Sequence, residues 1–254
     1  MTDVLEVREV GVRFAGIVAL DDLTFSIQDG NICALIGPNG AGKTTLFNVI
    51  SRLYEPTTGH VTFDGNDLLE TPAHRIAAVG IARTFQNLAL FPSLTVLQNV
   101  MVGAHTRGRT NWVTGALRIG VKKEDSELEQ LAFATLDELG LASVALKPAA
   151  GLPYGTMKRI ELARSLVGRP KLLMLDEPAS GLTHSEVDDL ADVIRQIRAT
   201  RNITVLLVEH HMQMVMGIAD HIVVLNFGRK LAEGAPKDIA KNPAVVEAYL
   251  GATA

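Results

Sequence analysis

Apolar positions recur along the chain in two rhythms. From Val4 to Ile27 they are spaced by two or three, as Leu5, Val7, Val10 and Val12 and then Leu20, Leu23, Phe25 and Ile27, with turn residues between. That texture predicts short, half-buried strands. Residues 56–68 repeat it, with Val61-Thr62-Phe63 running into the turn pair Asp64-Gly65. Together the two stretches predict a small antiparallel sheet. Three other runs, Ile32–Ile36, Leu172–Leu175 and Ile203–Val208, are almost continuously apolar. Such runs suit strands buried on both faces of a parallel sheet.

The second rhythm is helical. Spacings of three and four predict helices over Leu94–Val102, Glu124–Leu139, Met157–Val167, Ser185–Thr200 and Val245–Leu250, besides one that begins near Lys43. Gly140 and Gly168-Arg169-Pro170 read as stops. Gly80–Gln86 reads as a strand ending in a polar residue, and Ile222–Leu225 with Lys230–Ala232 as a hairpin around Gly228. Strands alternating with helices predict an α/β fold around a parallel core sheet.

Composition narrows this picture. At 254 residues, with 47% hydrophobic and 20% charged residues, the chain can bury a substantial core as one α/β domain or two unequal lobes. A net charge of −4 gives no reason to expect nucleic acid as a partner. No apolar run approaches the 18 or more residues of a membrane span. Met1–Val4 carries no basic stretch ahead of an apolar one, so no export signal is expected and the chain reads as cytosolic. The single cysteine, Cys33, falls within a predicted strand and reads as core filler. Residues 103–123 break character, with glycines interleaved among His105, Arg107, Arg109, Arg118, Lys122 and Lys123. This basic patch reads as a solvated excursion, or as a surface resting near anionic lipid or a protein partner.

The candidate chemistry begins at Gly37-Pro38-Asn39-Gly40-Ala41-Gly42-Lys43-Thr44-Thr45, which fits the G-x-x-x-x-G-K-[ST] phosphate-loop pattern between a predicted strand and a helix start. Gly37, Gly40 and Gly42 let the backbone approach an anion closely, so that successive N–H groups and the helix N-terminus point at phosphates. Lys43 is then expected to reach the β- and γ-phosphates and Thr44 to ligate Mg²⁺. A second element, Leu172-Leu173-Met174-Leu175, delivers Asp176 and Glu177 to a strand's carboxyl end, where ligands of open α/β sheets collect. Asp176 is suited to the Mg²⁺ shell, and Glu177 to polarising a water for attack on the γ-phosphorus. Glu209-His210 ends another strand in the same way. Phe14 reads either as core or as an aromatic able to stack on an adenine ring.

With these residues in place, nearly the whole chain resembles the ATP-binding cassette (ABC) family of transport ATPases. The phosphate loop stands as Walker A (residues 37–45) and residues 172–177 as Walker B. Gln86 stands as the Q-loop glutamine, Leu152-Pro153-Tyr154-Gly155-Thr156 at the signature, and His210 as the switch histidine. The resemblance implies a P-loop NTPase with a RecA-like parallel core sheet, an antiparallel β subdomain and an inserted α-helical subdomain. It divides the chain into a core of residues 1–86 and 157–254 and a helical signature part of residues 87–156. It implies ATP and Mg²⁺ as cofactors, Gln86 touching metal and attacking water, His210 touching the γ-phosphate, Phe14 stacking on adenine, and Gly155 facing a partner's nucleotide.

Ala82-Arg83-Thr84-Phe85-Gln86, the insertion through 103–123, the Tyr-Gly signature, Val208-Glu209-His210 and Glu247-Ala248-Tyr249-Leu250-Gly251 resemble the LivG-type branched-chain amino acid importer ATPases. That closer resemblance implies a cassette paired with a second one, identical or paralogous, on the cytoplasmic face of the membrane. It implies permease subunits contacted through about Asn87 to Asn99, and an extracytoplasmic solute-binding protein engaged indirectly. Two residues depart from the wider family: Pro153 replaces the signature serine, and Thr183 ends Ala179–Thr183 where many members carry aspartate. Two other readings remain open at this level, a non-transport ABC ATPase and a nucleotide-dependent regulatory module.

Overall fold

The computed structural model describes residues 2–84, 88–104 and 121–250, with the side chains of 121–124 and 250 left aside. The strands in chain order are β1 (Asp3–Phe14), β2 (Ile17–Gln28), β3 (Ile32–Ile36), β4 (Thr58–Phe63), β5 (Asn66–Asp67), β6 (Ile81–Arg83), β7 (Leu172–Asp176), β8 (Thr204–Val208), β9 (His221–Asn226) and β10 (Arg229–Gly234). The helices are α1 (Lys43–Ile50), α2 (Ile76–Val79), α3 (Val96–Val102), α4 (Val121–Glu138), α5 (Tyr154–Leu166), α6 (His184–Arg201), α7 (Met212–Ile218), α8 (Pro236–Ile239) and α9 (Pro243–Leu250).

Two sheets form. The two-or-three spacing of the first segment produces an antiparallel sheet in the order β2-β1-β4-β5. The continuously apolar runs produce a second sheet in the order β10-β9-β3-β8-β7-β6, parallel except for the β9–β10 hairpin. That hairpin turns at Phe227 (φ 46°) and Gly228 (φ 79°), a pair of left-handed residues of the kind tight hairpins prefer.

Side-chain alternation explains why the parallel strands carry no polar face. Along β7, Leu172 and Met174 pack with Phe47, Leu46 and the first sheet, whereas Leu173 and Leu175 pack with Leu136, Ile160 and Ile194. Each face of the sheet therefore has its own cover, α1 with the antiparallel sheet on one side and α3–α6 on the other. A third cluster closes the β9 end, where Ala34, Ile36, Val215, Val224 and Val245 meet and Tyr249 packs against them. Cys33 lies within the core as expected, and burial pushes its thiol to about 12.

Arg201 stitches the helical side together. It donates to Glu138 Oε2 at the end of α4 (Nε, 2.9 Å), to the Leu166 carbonyl at the end of α5 (2.8 Å) and to Thr135 Oγ1 (3.2 Å). These hydrogen bonds hold the Glu138 carboxyl below its ordinary pKa. Asn99, fully buried, shapes the segment that leads into α3: it accepts from Phe91 N (2.8 Å) and donates to the Phe91 and Thr95 carbonyls (3.0 Å each).

The structure departs from the sequence reading at two helices. Helix α5 starts at Tyr154 rather than Met157, because Pro153 takes the N-cap position with φ −53° and nothing after it opposes the first turn. Residues 156 and 157 both lie within α5. Lys158 and Glu161 are buried despite their charge, since α5 is wedged between the sheet and its helical neighbours. Helix α7 is absent from the pattern reading because seven residues hold too few turns to show a period. Phe85, Gln86 and the stretch 105–120, which contains most of the basic patch, lie outside the described residues.

Candidate functional site

Register brings the singled-out residues to one edge of the parallel sheet. β3 pairs with β8 through Leu35 and Val208, and β8 with β7 through Val208 and Asp176. The loops that leave β3, β7 and β8 therefore emerge side by side. They carry Gly37–Thr45, Asp176-Glu177 and Glu209-His210.

The phosphate loop is clamped from two sides. A Cβ at Gly37 would lie 2.2 Å from the Leu225 carbonyl oxygen of β9, and one at Gly42 would lie 2.7 Å from the Ala19 carbonyl oxygen of β2. Gly228 N donates to the Ala41 carbonyl (3.1 Å) and Asp21 N to the Gly228 carbonyl (2.9 Å), so the β9–β10 turn and β2 jointly hold the loop's end. Only glycine allows that approach. Lys43 Nζ donates to the Gly37 and Pro38 carbonyls (2.7 and 2.9 Å), which places the ammonium across the loop's mouth. Desolvation lowers the Lys43 pKa, and the carboxylates of Glu177 and Asp176 act against it. Lysine and both acids thus share one electrostatic environment. Thr44 is exposed at the first turn of α1 and Thr45 is half-buried behind it.

Asp176 is buried and is gripped by Arg83 Nη2 at 2.9 Å. Arg83 Nη1 reaches Asn48 Oδ1 on α1 (2.7 Å), and its guanidinium lies 5.4 Å from the Phe47 ring centroid. The acid and α1, which begins at Lys43, are thereby tied through one cation. Arg83→Met should leave Asp176 without its cation and lower stability by about 3 kcal/mol, the usual result of removing one partner of a buried pair. Urea denaturation reads that change.

Glu177 follows the strand in a left-handed conformation (φ 47°) while its N–H extends the β ladder to the Val208 carbonyl (2.9 Å). A non-glycine residue held at positive φ marks a position fixed by its surroundings. Beyond β8, Glu209 is buried, and His210 presents an imidazole 61% exposed with its ring 4.9 Å from that of His211. Glu209, His210 and His211 offer ligand atoms within 4.8 Å of one another, but both Glu209 oxygens are occupied by backbone N–H groups.

Phe14 is 42% exposed, so it is not core; its ring meets Tyr54 edge-on at 5.1 Å. In the signature, Pro153 caps α5 without a side-chain acceptor and Gly155 lies in its first turn, close to Glu186 at the start of α6. Thr183 donates to Glu186 Oε2 from its backbone N–H (2.9 Å) and its hydroxyl (2.8 Å). Thr183, one of the two departing residues, therefore closes the N-terminus of α6. Gln86 lies outside the described residues. Sequence reading assigned no role to Arg83 or Glu209, although each directly follows or ends a strand at the site's edge.

Residues 20–180 match the ABC transporter family profile. The chain belongs to the ABC transporter family. Residues 229–254 also match the profile of the branched-chain amino acid ATP-binding cassette transporter. The cassette is 42% identical over 249 residues to the high-affinity branched-chain amino acid transport ATP-binding protein BraF of Pseudomonas aeruginosa, covering 98% of each chain. It is 41% identical over 248 residues to LivG of Escherichia coli K12, covering 97% of each. Among solved structures it resembles an ATP-binding cassette of an ABC transporter in its ADP conformation, with TM-score 0.87, 30% identity and coverage of 99% and 100%. A nucleotide-free cassette from an ABC transporter gives TM-score 0.85 at 30% identity, with coverage of 98% and 99%. The cassette is an ATPase, built on the P-loop NTPase fold. Among its described residues no helix is long and apolar enough to cross a membrane.

Proposed function

We propose that this cassette is the ATP-hydrolysing subunit of an importer for branched-chain amino acids or similar small solutes. The observation that carries the substrate class is the match of residues 229–254 to the branched-chain amino acid profile, a segment separate from the nucleotide motifs. In this reading the cassette sits on the cytoplasmic face of the membrane, paired with a second cassette and bound to permease subunits, with a solute-binding protein engaged from the other side.

Backbone N–H groups of Gly37–Thr45 and the Lys43 ammonium bind the phosphates, and Phe14, exposed at the end of β1, stacks on the adenine. Thr44 and Asp176 offer the hard oxygen donors that suit Mg²⁺, with Gln86 completing the set. Bound there, the ion neutralises charge on the β- and γ-phosphates. Glu177 takes a proton from a water as its oxygen attacks the γ-phosphorus and the bond to the bridging oxygen breaks, giving ADP and phosphate. His210 hydrogen-bonds the γ-phosphate. Gly155 at the start of α5 contacts the nucleotide held by the partner cassette, where Pro153 leaves the helix's first N–H groups uncapped. ATP then favours the closed pair through γ-phosphate contacts that hydrolysis removes.

A groove of about 410 Å³ separates the nucleotide core from the helical side, lined by Leu53, Ile76, Ala77, Val102 and Arg164 among others. Leu53 is 57% exposed there. An apolar groove that runs past the end of α3 at Val102 suits a cytoplasmic segment of the permease. Leu53→Glu is expected to abolish co-purification with permease subunits while ATP binding persists. Loss of both would mean the groove serves the fold rather than the partner, and retention of both would place the permease elsewhere.

A further inference from the structure

Two segments that flank the reacting end of the site are joined by one buried carboxylate. Glu209 Oε1 accepts from the Ala179 N–H (2.7 Å), two residues beyond Glu177. Glu209 Oε2 accepts from the N–H groups of His210 (2.9 Å) and His211 (3.2 Å). Glu209 is 2% exposed as a residue and 0% in its side chain, and Ala179 is fully buried. One step back along the chain, the Glu177 N–H bonds to the Val208 carbonyl. The start of the 177–183 loop and the start of the histidine loop are thus fastened at two successive points. The first is an ordinary ladder bond, and the second depends on a side chain.

We propose that Glu209 is a positioning residue that sets Glu177 and His210 relative to each other and makes the 177–183 loop and the histidine loop move as one unit. The chemistry of the site requires a carboxylate in this place. All three of its partners are donors, and only a group that accepts at both oxygens satisfies them together. A primary amide satisfies one side and turns its own N–H groups against the donors on the other. The 177–183 loop leads through Thr183 into α6, whose first turn lies against Gly155 of the signature helix. The clasp therefore connects the hydrolytic end of the site with the surface that faces a second cassette. This inference rests on the assignment of Glu177 and His210 to hydrolysis.

The test is steady-state ATP hydrolysis by the full chain with Mg-ATP, for Glu209→Gln, His210→Ala and the double variant. Glu209→Gln is expected to lower kcat on the order of ten- to a hundredfold, the scale of a misplaced reacting group. KM should stay within about twofold, because the phosphate loop is untouched. In the His210→Ala background the same change should add less than about threefold, since two residues acting as a unit are not additive. A Glu209→Gln protein with unaltered kcat, or losses that multiply in full, would overturn the inference. If His210→Ala itself leaves kcat unchanged, the assignment of His210 falls first and the inference with it. Should Glu209→Gln not fold, amide hydrogen exchange on the unaltered chain decides: Ala179, His210 and His211 are expected to open together at one rate, and unrelated rates would overturn the clasp.

Discussion

Glu177→Gln should reduce ATP turnover by roughly 10²–10⁴-fold, the range attributed to a positioned general base. Nucleotide affinity should be retained, because the amide preserves the size of the side chain and the phosphate contacts are proposed to come from Gly37–Thr45, Lys43 included. The left-handed backbone at residue 177 is held by the N–H bond to Val208 and by the Ser180 N–H on its carbonyl (3.1 Å), and neither depends on the carboxylate. The variant should therefore fold normally and stop at bound ATP. Turnover assays combined with nucleotide titration check the separation. The solution mass of the same variant with and without Mg-ATP adds a second reading. A doubling of mass would show that the Leu-Pro-Tyr-Gly-Thr signature closes over nucleotide in a self-pair. A monomer that binds ATP would point to a different cassette or to the permease as the closing partner.

The second large effect is expected at Gly37→Ala. The new methyl would be placed 2.2 Å from the Leu225 carbonyl oxygen and 3.1 Å from the Ala41 side chain, with φ at 153°. The oxygen belongs to the backbone of a central strand and cannot swing away, so the loop itself must move. A stability loss of about 2 kcal/mol or more follows from overpacking and backbone strain together. Nucleotide affinity should fall with it, since the displaced N–H groups are the ones proposed to cradle phosphate. Gly40→Ala is the control. Its φ is 79°, but nothing lies within 4 Å of the added carbon, so only the backbone penalty of about 1 kcal/mol remains. Denaturation midpoints and nucleotide titrations should rank Gly37→Ala well below Gly40→Ala.

The parallel core was legible in the sequence because β3, β7 and β8 are apolar on both faces, a signal that does not depend on period. The phosphate loop was legible for a different reason: its glycines answer a backbone demand that no other residue meets. What escaped sequence reading lies in partnerships between distant positions. Arg83 reads as one polar residue at a strand's end, and its partner Asp176 is 93 residues away. Glu209 reads as a polar tail of β8, and only the neighbouring loop from β7 reveals what its carboxylate binds. Lys158 and Glu161 follow the polar code for a surface, yet they are buried because α5 is covered on nearly every side. Helical periodicity identifies which face of a helix turns to the core only when one face remains in water.

The strand order also has a consequence for how the chain is made. β3 is complete by residue 36, whereas its two neighbours, β8 and β9, end at residues 208 and 226. A chain leaving the ribosome thus carries an apolar strand with both hydrogen-bonding edges open through most of its synthesis. The antiparallel β1–β2–β4 ladder closes early and can shield one face, but not those edges. Any product truncated before β8 would keep the sticky centre of a sheet without its flanks, so synthesis of this cassette is exposed to aggregation until residue 226 of 254 has emerged.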